Sequence, residues 1–232
     1  MDFLSDVNIA TKFAAHSVHD LFHFIRTNKR HADLCRSRDV SRAFGNDFLG
    51  LFTDLDMTHE KLDFMQRLWD VGNPWFCILR STQQLLHASP NFAEINRLLT
   101  NVVNAGSWTA KYFRLLMRAT DAPPLNLENL LNEFWALLMT RNLQQYGLDI
   151  MGVTTSFRFR YTWYKRWLPP GMCRRYFCQN PHNCLGDGRR GNYRGFLPAD
   201  DDEYIFNYFC IRCRLDGEVR WLIDVFGFNH GF

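Results

Sequence analysis

No apolar run in this chain approaches the roughly 20 residues that a helix needs to cross a bilayer. The opening MDFLSDVNIATK does not have the pattern of a secretory signal. Both absences predict a protein with no membrane role. Cysteine is odd in number, seven in all. Without an export signal such a set stays reduced rather than forming a disulfide framework, which points to cytosol or nucleus. Charge of neither sign dominates: 27 Lys and Arg stand against 24 Asp and Glu, a net +3. That excess is too small to imply nucleic acid by itself, so local distribution matters more. There is no glycine-rich nucleotide loop, no Gly-x-Ser-x-Gly elbow and no paired-carboxylate site. Arginine flanks Cys173 and Cys178 and would lower a thiol pKa, yet no catalytic histidine is placed by sequence. The expectation is a protein that is not an enzyme and has no small-molecule substrate.

What is abundant is aromatic: 21 Phe and 7 Trp in 232 residues, enough to bury a good core as one domain or two packed subdomains. Residues 1–153 read as helical. Ser5 caps a helix carrying Ile9, Phe13, Leu21, Phe24 and Ile25, and the charged stretch 26–42 holds a loop and a short helix. Thr58 starts a helix with Leu62, Met65 and Trp69 inward, and Gly72-Asn73-Pro74 stops it. Ser89-Pro90 opens the next, with Ile95, Leu98, Leu99, Val102 and Val103. Trp108–Ala119 is another, broken by Pro123-Pro124. Asn126 caps a last one carrying Leu127, Leu130, Leu131, Phe134 and Leu138, ending by Gly147.

Residues 154–232 read as an antiparallel β region with a long Cys-containing loop. Phe157, Phe159, Tyr161 and Trp163 alternate with Arg158, Arg160 and Thr162, as in a half-buried strand. Tyr204 to Phe228 reads as a β-hairpin turning at Asp216-Gly217. A three-residue loop pairs Arg214 with Glu218 and puts Phe209, Ile211 and Cys213 opposite Ile223, Trp221 and Val219 on one apolar face. The predicted class is therefore α+β: a helical N-terminal part packed on a small antiparallel sheet with a C-terminal β-hairpin, in one compact unit.

Two clusters carry chemistry. Cys173, Cys178, His182 and Cys184 could converge on a structural zinc, though their spacing is not that of a standard finger; buried or partly exposed free thiols are the plainer reading. Cys210 and Cys213 point to opposite faces of a regular strand and would share that metal only across a bulge. Arg158, Arg160, Lys165, Arg166, Arg174 and Arg175, interleaved with aromatics, suit single-stranded RNA, a protein partner, or merely the solvated face of a strand. His16, His19 and His23 read as exposed or core-edge side chains on an amphipathic helix.

The hairpin CIRCRLDGEVRWLIDVFGF, together with Arg158–Met172 and its Tyr161-Thr162-Trp163-Tyr164-Lys165 core, resembles the C-terminal half of the adenovirus early-region-4 34 kDa protein family. Weaker echoes reach Gly106-Ser107-Trp108 and Pro74-Trp75, while residues 1–72 have no family counterpart. The resemblance implies a non-enzymatic viral early protein, from a divergent, non-mammalian lineage, acting as an adaptor. It implies binding to host proteins, including elongin and cullin subunits of a ubiquitin ligase, and to another viral protein. Degradation of host antiviral factors would follow, in the host nucleus or cytoplasm. The alternative is an RNA-binding accessory factor in viral mRNA export or processing. The chain departs from the family at three places. KYFRLLMRATDAPP, after Trp108, lacks the family's His and Cys; no clean elongin box follows Pro124-Leu125 or Ala136-Leu137; and the arginine-rich C-terminal helix has no equivalent.

Overall fold

A computed structural model describes residues 3–27, 29–34, 36–45, 48–49, 59–86, 90–120, 126–158, 166–167, 210–226 and 228–229. They are overwhelmingly helical and divide into two compact units. One comprises Met1–Leu85, Asn91–Ser107 and Gly152–Thr162; the other Leu86–Pro90, Trp108–Met151 and Trp163–Phe232. No helix among the described residues is long and apolar enough to cross a membrane.

The first unit holds α1 (Phe3–His16), α2 (Val18–Arg26), α3 (Lys29–Leu34), α4 (Arg38–Ala43), α5 (His59–Asp70), α6 (Pro74–Leu85) and α7 (Phe92–Asn104). The expected single helix from Ser5 to Ile25 is broken at Ser17, whose extended backbone and hydroxyl, accepting from Asp20 N at 3.1 Å, start α2 afresh. Gly72, at φ +76°, follows α5 as the sequence suggested. Asn73-Pro74 does more than stop that helix: it opens α6. Asn73 Oδ1 accepts from Trp75 N (3.0 Å) and Phe76 N (3.2 Å), with Pro74 at the first helical position, where its missing N–H costs nothing. Asn91, rather than Ser89, caps α7 by accepting from Glu94 N at 3.1 Å. Of the residues expected inward on α5, Met65 is buried but Leu62 is 44% exposed. Leu21, Phe44, Leu68, Phe76, Ile78, Ile95 and Leu99 make the core. Gly45 allows a close approach, donating to Ala14 O at 2.9 Å where a Cβ would lie 2.7 Å from Ala15 O.

The second unit contains α8 (Trp108–Ala119), α9 (Leu127–Leu138), the start of α10 (Leu143–Arg158) and α11 (Ile211–Phe226). The expected antiparallel sheet is absent from the described residues. Their strand content is a two-residue parallel pairing of β1 (Arg166–Trp167) with β2 (Phe228–Asn229), in which Arg166 faces Phe228 and Trp167 faces Asn229. Phe157 and Arg158, expected in a strand, end α10; residues 159–165, the rest of that strand, lie outside the described residues.

The hairpin is corrected outright. Ile211–Phe226 is one continuous helix, and Asp216-Gly217 lies in its interior. Leu215, Val219, Leu222 and Phe226 recur at helical spacing and are all buried. A glycine inside a helix costs about 1 kcal/mol. Burying large apolar side chains returns roughly 1.5–3 kcal/mol each, so the stripe outweighs the turn chemistry. Arg214 and Glu218 do pair, but as i and i+4 on one helix at 2.6 Å. Tyr112 of α8 donates to Glu218 Oε2 at 2.5 Å. Trp221 is buried, its ring 6.4 Å from Tyr112, and Phe226 stacks on Phe113 at 5.8 Å.

Candidate docking surface

α9 buries Leu130, Phe134, Leu137 and Leu138, which fixes the orientation of the rest of the helix. Asn126 starts it as expected, accepting from Asn129 N at 3.2 Å, but it ends at Leu138 and the chain restarts at Leu143. An ion pair from α8 helps hold it: Arg118 Nη1 donates to both Glu133 carboxylate oxygens, at 2.6 and 2.7 Å. The buried stripe does not use all the apolar residues of the helix. Trp135 and Met139, one turn apart and just past the helix end in the latter case, are 54% and 59% exposed. Leu127 and Leu131 are half-buried on the same side. Leu127, Leu131 and Trp135, together with Ile211 and Arg212 at the start of α11, border an open groove of about 620 Å³.

The lining is mixed: Leu127, Leu131, Trp135 and Ile211 share it with Glu128, Asn132 and Arg212. Glu128 and Asn132 stand on the α9 side and Arg212 on the α11 side. Arg212 has no carboxylate partner among the described residues. A large aromatic, a flexible thioether and leucines in the open, rimmed by charge, form the pattern of a protein-binding face.

The sequence-derived sites fare differently. Cys173, Cys178, His182, Cys184, Arg160, Lys165, Arg174 and Arg175 lie outside the described residues; Arg158 closes α10 and Arg166 sits in β1. The strand argument for Cys210 and Cys213 is overturned, because both stand at the start of a helix, where three residues apart share a side. Cys213 N donates to Cys210 Sγ at 3.3 Å. His19 and His23 are exposed with their rings stacked at 4.4 Å. Among the described residues no three His, Cys, Asp or Glu side chains are grouped to hold a metal. Cys77 is buried, and burial pushes its thiol up to about 11, so it stays a neutral core side chain at ordinary pH.

Sequence reasoning did not find the α9 face: Leu131 was counted with the core, and Trp135 and Met139 were not singled out. A signal was present, since LENLLNEFWALL carries more apolar positions than one helical stripe can bury. No family model, curated protein or solved structure matches this chain.

Proposed function

We propose that this chain is a non-enzymatic adaptor that binds partner proteins through the outward face of α9. The observation that carries this reading is the exposure of Trp135 in the groove to α11, with Met139 exposed one turn further along. Tryptophan contributes strongly to interface cores, and exposed apolar patches rimmed by charge mark such surfaces. The occupant we assign is an amphipathic helix. Its apolar side chains, at i, i+3 or i+4 and i+7, would cover Leu131, Trp135 and Met139, with a carboxylate reaching Arg212.

The family resemblance lends context rather than structure, because the hairpin on which it leaned is a helix. In that context the chain is a viral early protein working in the host nucleus or cytoplasm. Its partners are then host proteins, elongin or cullin subunits among them, together with another viral protein. The RNA-binding alternative rests on arginines of the 158–175 stretch, most of which lie outside the described residues.

The test is affinity purification of the full chain from transfected cells beside a Trp135→Ala/Met139→Ala variant, whose exposed substitutions should leave helix content unchanged. The adaptor reading expects elongin or cullin subunits with the native chain and at least a tenfold loss with the variant, a difference of about 1.4 kcal/mol. Failure to recover any such subunit removes the ligase version. Equal recovery by both chains removes the α9 face.

A further inference from the structure

Four helices of the first unit, α4 to α7, line a cleft of about 510 Å³, a size within the range of small-ligand sites. Arg38 and Arg42 enter it one turn apart from α4, Arg80 from α6 and Arg97 from α7, facing the carboxylates Asp70 and Glu94. Glu94 is ion-paired within its own helix, whereas Asp70 keeps its charge and meets a neutral amide. Glu94 accepts from Arg97 Nε and Nη2 at 2.7 Å each, and that hydrogen-bonded guanidinium holds its carboxyl below the usual range. Asp70 accepts from Gln66 Nε2 at 2.9 Å. Arg38 and Arg42 are left with no carboxylate partner among the described residues. Arg80 sits over the Trp69 ring, 5.0 Å from its centroid, and among the described residues its side chain makes a long 3.5 Å hydrogen bond to Gln83.

We propose that this cleft binds a phosphate dianion carried by a small molecule, with Arg38, Arg42 and Arg80 as the cationic contacts. Four arginines and two carboxylates line the cleft, Arg38, Arg42, Arg80 and Arg97 against Asp70 and Glu94, and the positive excess suits a dianion better than a single carboxylate. The planar fork of arginine matches two phosphate oxygens at once, which favours phosphate over a spherical anion. Stacking over Trp69 restrains the Arg80 guanidinium before the ligand arrives, lowering the ordering cost of binding. The volume and the four surrounding helices suit a mononucleotide-sized ligand rather than an extended polymer.

The experiment is equilibrium dialysis, with ³¹P NMR titration, of the full chain against inorganic phosphate, pyrophosphate and a ribonucleoside 5′-monophosphate at low and physiological salt. Saturable one-to-one binding of at least one probe is expected, weakening as salt rises. The Arg38→Gln/Arg42→Gln double variant should lose tenfold or more in affinity. Arg36→Gln, whose guanidinium lies 3.8 Å from Asp33 on the exposed surface, should bind as the native chain does. Equal affinity for phosphate and the monophosphate assigns recognition to the phosphate alone; preference for the nucleotide adds contacts to its organic part. Both arginines of the double variant are exposed, so unchanged helix content by circular dichroism separates lost binding from lost folding. The proposal is overturned by no saturable binding of any probe, by undiminished binding in the double variant, or by equal loss with Arg36→Gln. Binding of a single-stranded oligoribonucleotide without any of the three small probes overturns it as well, in favour of an extended nucleic-acid surface.

Discussion

Asn73 is fully buried, and its side-chain amide makes hydrogen bonds from both ends. Oδ1 starts α6, while Nδ2 donates to the carbonyls of Ser41 (3.1 Å), Arg42 (3.2 Å) and Phe44 (2.9 Å), which end α4 and the turn after it. One residue thus serves two helix termini that would otherwise hold unsatisfied backbone groups in the core. Asn73→Ala should cost roughly 3 kcal/mol or more, since it combines a lost cap with buried carbonyls left without a donor. A urea titration of both chains measures it; a loss within the ~0.5 kcal/mol typical of a surface change would contradict this role. The sequence showed that residues 72–74 were a boundary but not that the asparagine reached back some 30 positions. Its partners are main-chain carbonyls, and a carbonyl carries no residue-type signature.

At the scale of elements, the short-range signals were legible and the long-range ones were not. Trp108–Ala119 was delimited correctly because its apolar spacing and its flanking breaks agree. The start of α9 at Asn126 was legible for the same reason. The C-terminal segment was not legible because Asp-Gly is a strong turn signal, while its helix is decided by what the segment packs against. Glu218 makes that concrete. A hairpin places it on the outward polar face, where removing it costs little. In α11 it is fully buried between Arg214 and the Tyr112 hydroxyl. Glu218→Ala should therefore destabilise the chain by roughly 3–5 kcal/mol, because it removes a buried carboxylate that ion-pairs with Arg214 and accepts from Tyr112. Chemical denaturation gives the value, and a change below about 0.5 kcal/mol would place Glu218 at the surface. The α9 docking face escaped sequence reading for a related cause. Which apolar residues of an over-rich helix remain exposed is decided by its neighbours, α8 and α11.

At the scale of the whole molecule, two helical units carry the surfaces proposed above for docking and anion binding. The helical first half was legible from period and caps, and the period-two reading fails at 154–158, where α10 runs on to Arg158, and at Ile211–Phe226, which is α11. The docking surface follows from that architecture, since the α9 groove exists only if Ile211 and Arg212 begin a helix beside it. The most direct test is a set of ¹³Cα secondary chemical shifts for residues 211–226 in the full chain. An unbroken positive run through Asp216 and Gly217 is the result expected of α11. Negative runs on either side of those two residues would restore the hairpin and remove the groove.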